Sequence, residues 1–326
     1  MKPHGNAVLE TLAIVVSIFG LVGLGYGAAR TRLLGPTVGE GLTEFVFKVA
    51  IPFLLFGTLA AADLHGISPW RIWAAYFVPF AAIWTLSHLM IRRVFGRDAR
   101  AGVVAGGSAA FSNAVLIGLP LMQAAFGEPG TVYLIIIVAV HLPVMMLVSV
   151  VLNEWALGAD RVATGEVVRS DVLLRLGKTL ITHPILLAIL AGLLWRMTGL
   201  KIPTVIGLVV EQLGKPAGPL ALFASGMALR NFGMARQIRP AFAIAALKLL
   251  LMPALVYAAC RLVGLPPTGA AAVTLVAACP TGVNAFLIAD RLGTGQALAS
   301  NALLISTAGA VVTVTLWLTF VQATLQ

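Results

Sequence analysis

The chain has 326 residues, 60% of them hydrophobic and only 10% charged, where a soluble domain carries roughly 25% charged residues. A globule of this composition would lack the polar skin that water requires, so soluble enzymes and soluble binding modules are excluded and lipid is the expected solvent. The net charge of +10 does not point to a nucleic-acid partner, because the cations are scattered between apolar runs rather than gathered on one face.

The N-terminus, MKPHGNAVLE, has one lysine, then a glutamate, and no small-residue cleavage site. The first apolar run, residues 8–29, is therefore expected to stay as a span rather than leave as a signal peptide. Runs near 40–61, 71–91, 101–125 and 131–152 follow, each close to the roughly 20 residues that cross a bilayer. Next comes the one long polar stretch, Asn153 to Arg175, holding Glu154, Asp160, Arg161, Glu166, Arg169, Asp171 and Arg175. Five more runs lie near 178–197, 205–229, 240–262, 268–290 and 298–321. The pattern predicts an all-α integral membrane fold of ten transmembrane helices: a first five-helix repeat over 1–152, a cytoplasmic central loop over 153–175, and a second repeat over 176–326.

Lysine and arginine fix an expected orientation. Alternate loops carry Arg30, Arg32, Arg92, Arg93, Arg97, Arg100, Arg161, Arg169, Arg175, Lys178, Arg230, Arg236, Arg239 and Arg291, against Lys2, Arg71, Arg196, Lys201 and Arg261 on the other side. The positive-inside rule then puts both termini outside the cytoplasm, in a multi-pass protein of the cell (inner) membrane.

The halves resemble one another. Span 2 reads LTEFVFKVAIPFLLFGTLA from Leu42, and span 7 reads VVEQLGKPAGPLALFASGMA from Val209. At a constant offset Glu44, Lys48 and Pro52 fall on Glu211, Lys215 and Pro219. Spans 4 and 9 match more loosely, AAFSNAVLIGLPLMQAAFG against AACPTGVNAFLIADRLG, each with Asn, Gly and Pro mid-span and a Gly turn at the end. A repeat of five spans enters the membrane upside down the second time, and inverted repeats are a hallmark of secondary transporters.

Spans 4 and 9 also carry residues that unwind helices. Proline removes a donor and clashes with the preceding turn. Span 9 sets Pro280 beside Thr281 and Gly282, with Asn284 close behind; span 4 has Ser112 and Asn113, then Gly118 and Pro120. Interruptions are expected near Ser112–Asn113 and Pro280–Thr281. Half-helix N-termini meeting at mid-depth would form an anion site, with Ser112, Asn113, Pro280, Thr281 and Asn284 against the substrate.

Other charges lie within the spans. Glu44–Lys48 and Glu211–Lys215 are each spaced i, i+4 in the favourable order; symmetric gate or coupling sites, or snorkelling interfacial charges, both fit. Lys248 could attract an anion, pair with a carboxylate or snorkel. His88, His141 and His183 are read as satisfied core histidines rather than a proton relay.

SNAVLIGLPLMQAAFG and ACPTGVNAFLIADRLG resemble the fourth and ninth spans of the auxin efflux carrier family, which includes bacterial malonate-type permeases and plant auxin exporters. AIPFLLFGTLA and GPLALFASGMAL resemble its second and seventh spans, and HPILLAILAGLLW its sixth. The resemblance covers nearly the whole chain. It implies a ten-span fold with spans 1, 2, 6 and 7 as scaffold and spans 3–5 and 8–10 as transport domain. Broken helices 4 and 9 would cross beside the substrate. Asn113 and Pro120 match the span 4 pattern, and Pro280 and Asn284 that of span 9. The plant carriers place a proline just before the span 4 asparagine, where this chain has Ser112, so a softer break is expected. Their long hydrophilic central loop is absent, which argues against auxin as substrate.

The function expected is secondary transport of small organic anions by alternating access, with no enzymatic activity. The partners are the bilayer, the organic anion, a coupling ion (H+ or Na+) and a second copy in a homodimer. No cofactor, metal or nucleic acid is expected. A cation/proton antiporter of related architecture is the alternative, although that class needs aspartates beside the crossover. An intramembrane hydrolase would need H-E-x-x-H, G-x-S-x-G or paired intramembrane aspartates, and Asp63, Asp98 and Asp290 fall at span ends.

Overall fold

A computed structural model of the protein describes residues 4–64, 66–161, 178, 181–232 and 238–325. The described residues are helical, with a single isolated β-bridge. The helices are α1 (His4–Arg30), α2 (Pro36–Ala61), α3 (Pro69–Arg93), α4 (Ala99–Ala110), α5 (Leu119–Arg161), α6 (Pro184–Met197), α7 (Thr204–Gly214), α8 (Ala217–Leu229), α9 (Ile238–Leu262), α10 (Pro267–Ala278), α11 (Asn284–Arg291) and α12 (Gln296–Ala323). Six segments among the described residues are long and apolar enough to cross a membrane: Leu9–Arg30, Pro36–Ala61, Pro69–Arg93, Ala114–Met145, Ile238–Leu262 and Gln296–Ala323.

Proline punctuates these helices in two ways. At the first turns of α2, α3, α6 and α10 it sits where a helix has no use for its missing N–H. Inside apolar segments it follows a widened turn at three places, whereas Pro79 and Pro143 lie within helices without one. Among the described residues three π-helical turns occur, Val46–Ala50, Ala114–Gly118 and Leu247–Leu251, and each is closely followed by a proline, Pro52, Pro120 or Pro253. The carbonyl four residues before each proline (Lys48, Leu116 or Leu249) loses its donor and meets the ring, and the turn relaxes to the wider spacing.

Two boundaries differ from the sequence reading. The run read as span 7 is two helices, α7 and α8, joined by a turn at Lys215–Pro216. The polar stretch from Asn153 begins as helix, because α5 continues to Arg161; residues 162–175 of that loop lie outside the described residues. The Gly turn expected at the end of span 4 is present: α5 bends sharply at Gly127, whose φ of 62° and ψ of −146° suit a residue without a Cβ.

Two packing groups emerge. In one, α1 lies along α8, and α2 packs on α6, α7 and α8. Gly25 meets the backbone of Phe223 and Gly226 meets the backbone of Val22, too closely for any side chain at either glycine. Small residues bring membrane helices together in this way. In the other group α3 packs on α4 and α9, α9 on α10 and α12, and α10 on α5 and α12.

Candidate functional site

Between α4 and the turn that opens α5, the chain leaves helical conformation at Phe111, Ser112 and Asn113; between α10 and α11 it does so from Cys279 to Val283. The two interruptions lie side by side, with Ser112 and Thr281 forming an antiparallel bridge. Asn113 N donates to the Pro280 carbonyl at 2.8 Å, and Gly282 N to the Phe111 carbonyl at 3.0 Å. Each break therefore satisfies part of the other's exposed backbone, which hydrocarbon demands. Gly282 suits this close approach, because a Cβ would come within 3.2 Å of the Ser112 carbonyl oxygen and the backbone there would have to give by a few tenths of an ångström.

Side chains from three further helices hold this crossing. Lys248, on the π turn of α9, is fully buried. Its Nζ donates to Ser112 Oγ at 2.6 Å, to the Ala277 carbonyl at 2.8 Å and to Met252 Sδ at 3.3 Å. Three acceptors match the three donors of an ammonium group. Ala277 is near the C-terminus of α10, where a cation meets both the unpaired carbonyls and the negative end of the helix dipole. From α3, Tyr76 OH donates to Ser112 Oγ at 3.1 Å. From α12, Ser306 Oγ accepts from Thr281 N at 3.1 Å. Thr281 Oγ1 donates to the Ser108 carbonyl at 2.7 Å, near the C-terminus of α4.

The structure brings Ser112, Asn113, Pro280, Thr281, Gly282 and Lys248 together, with Asn284 opening α11 beside them. The Asn113 and Asn284 carboxamides make no hydrogen bond among the described residues. Asn113 is 8% exposed, and its carbonyl accepts from Ile117 N and Gly118 N.

Gly118 and Pro120 require correction as helix-breaking residues. Gly118 ends the π turn and Pro120 lies in the first turn of α5, both beyond the break. Lys248 also departs from two of its readings, since it neither snorkels nor pairs with a carboxylate among the described residues. His141 is not the satisfied core histidine expected. Its Nδ1 is buried without a partner among the described residues, and its ring is caged by Tyr76, Phe77, Phe80 and Phe111. The Nδ1 of His183 is likewise buried and unpaired.

Glu44 and Lys48 form an ion pair with both side chains more than 60% exposed. Glu211 and Lys215 form none among the described residues and lie away from the crossing, across the α7–α8 turn. Tyr76, Ser108 and Ser306 escaped the sequence reading. Each is one polar residue in an apolar run, with no spacing signal to mark it.

Helical described residues, several membrane-length apolar segments and paired helix interruptions together have the architecture of a multi-pass membrane transporter. Residues 10–318 match the family described as Membrane transport protein. The chain belongs to this family, that of the auxin efflux carriers, which is a transporter family and not an enzyme family. It is similar to an "Uncharacterized transporter" of Methanothermobacter thermautotrophicus, 27% identical over 73% of this chain and 74% of the relative. It is also similar to a "Putative malonate transporter" of Rhizobium meliloti, 28% identical over 68% of this chain and 67% of the relative.

Proposed function

We propose that the protein is a secondary-active permease for small organic anions, carboxylates foremost, which binds its substrate at the crossing and works by alternating access. The observation that carries this reading is the crossing itself: two apposed breaks, a buried lysine bonded to Ser112 in one and to Ala277 just before the other, and no carboxylate bonded to that lysine among the described residues. An anion leaving water needs replacement hydrogen bonds and a compensating charge. The Asn113 and Asn284 carboxamides are unengaged, the helix starts that follow each break leave N–H groups without intrahelical partners, and Lys248 supplies the charge. A cation substrate would meet the wrong sign of potential here, which disfavours the antiporter alternative. The name of the Rhizobium relative agrees with a small dicarboxylate as the substrate class.

In this reading the helices make ten crossings, arranged as two inverted five-helix repeats with both termini on the non-cytoplasmic side. The group built on α1, α2, α6, α7 and α8 is the scaffold, and the group that carries the breaks is the moving domain. Two similar halves of opposite orientation give two conformations of similar energy, one open to each side. Labelled mono- and dicarboxylates should enter proteoliposomes containing the purified protein with saturable kinetics, and imposed H+ or Na+ gradients should reveal the coupling ion. If no carboxylate enters, while the protein dissipates a pH gradient on addition of Na+, the antiporter reading replaces this one.

A further inference from the structure

Away from the crossing, a cavity of about 1210 Å³ opens between α1, α8, α9 and α12. Its wall is mostly apolar, with the Thr307 and Thr313 hydroxyls bonded to their own helix, and two cations line it where Arg30 closes the last turn of α1 and Arg230 caps α8. No acidic residue lines it, and neither arginine makes an ion pair among the described residues. Arg230 also borders a neighbouring cavity that Glu40 and Glu44 line, beyond ion-pair distance.

The shape follows from how α1 and α12 run. Near one end they are tied by Thr11 Oγ1 donating to Gln322 Oε1 at 2.8 Å. Toward Arg30 they part, and Phe19, Val22 and Tyr26 face Leu304, Ile305 and Val311 across the gap. From Phe19 to Arg30 the helix rises about 16 Å, at 1.5 Å per residue. That is close to half of a hydrocarbon core about 30 Å thick. The groove is thus about as long as one leaflet is deep, with its two cations at one end and exposed Phe242 and Leu250 continuing its apolar wall.

We propose that this groove binds an anionic phospholipid, its phosphate on Arg30 and Arg230 and an acyl chain between α1 and α12. Depth, apolar lining and uncompensated positive charge all match that occupant. The site is placed to influence transport, because its back wall is the reverse face of the helices that hold the crossing. Leu249 and Leu250 adjoin Lys248, and Ile305 and Thr307 flank Ser306. This inference does not rest on the identity of the transported anion.

Native mass spectrometry of the full-length protein in detergent, titrated with phosphatidylglycerol or phosphatidylcholine, tests it. The wild type should retain phosphatidylglycerol preferentially. Each arginine near a membrane surface contributes about fivefold to anionic-lipid affinity, so Arg30→Gln with Arg230→Gln should weaken it about thirtyfold and remove the headgroup preference. Arg92→Gln with Arg93→Gln, at a different loop, should leave it intact. Ala308→Trp, which fills the groove and keeps both charges, should displace both lipids, so the test does not depend on the arginine variant alone. Equal retention of the two lipids by the wild type, or a preference unchanged by both groove variants, overturns the proposal. So does a dimer that dissociates on Ala308→Trp without any lipid adduct, which would assign the groove to a second copy.

Discussion

The two breaks reach one geometry by different means. The break after α10 carries its own proline: Pro280 cannot donate, α10 ends there, and bonds from Thr281 N to Ser306 Oγ, from Thr281 Oγ1 to the Ser108 carbonyl and from Asn113 N to the Pro280 carbonyl complete it. The break after α4 has no proline. It is held from outside by Tyr76 and Lys248, both donating to Ser112 Oγ, and by the backbone bonds to Pro280 and Gly282. A helix can thus be interrupted by its own sequence or by its neighbours, and the two cases differ in where they are vulnerable.

The largest expected effect is at Ser112. Ser112→Ala strands two buried donors at roughly 1–3 kcal/mol each, so it should cost roughly 2–6 kcal/mol of stability and should abolish transport. Thermal unfolding of the purified protein measures this. Thr281→Val removes one neutral hydrogen bond, to the Ser108 carbonyl, and should cost about 0.5–1.5 kcal/mol. Pro280→Ala should cost least, about 1 kcal/mol or under, because it chiefly returns freedom to the unfolded chain. Were Pro280→Ala more damaging than Ser112→Ala, the contrast between a locally written and an externally held break would collapse.

A smaller effect sharpens the comparison between the halves. Glu44–Lys48 and Glu211–Lys215 share one spacing, yet only the first forms an ion pair among the described residues. The difference lies in the side chains and not in the backbone, since Lys215 N still donates to the Glu211 carbonyl at 2.8 Å. Exposed pairs contribute little to folding. Replacing either pair with Gln should therefore leave expression and melting temperature unchanged while slowing proteoliposome uptake. Unchanged uptake in both double variants would reduce them to interfacial charges.

This contrast also explains how much was legible in the sequence. The apolar runs, the break at Pro280–Thr281 and the break at Ser112–Asn113 could all be read, because runs of apolar residues, a proline and small polar residues act over a few positions. The Lys248 clamp could not be read, since its partner Ser112 is 136 residues away and a lysine within an apolar helix looks the same whether it snorkels or is sealed. Pro120 misled for a related reason. A proline in an apolar run signals strain, but here the π turn Ala114–Gly118 absorbs it and the helix continues.

The central claim is that an organic anion sits at the crossing, and calorimetric titration of a transported carboxylate into monodisperse detergent-solubilised protein tests it most directly. Asn113→Ala and Asn284→Ala each remove a neutral hydrogen bond of about 0.5–1.5 kcal/mol, so Kd should rise roughly 2- to 13-fold. Lys248→Met removes the buried positive charge beside the crossing, so Kd should rise by more than in either asparagine variant. All three variants should remain folded and inserted. An unchanged Kd in all three would contradict the account and place the substrate elsewhere.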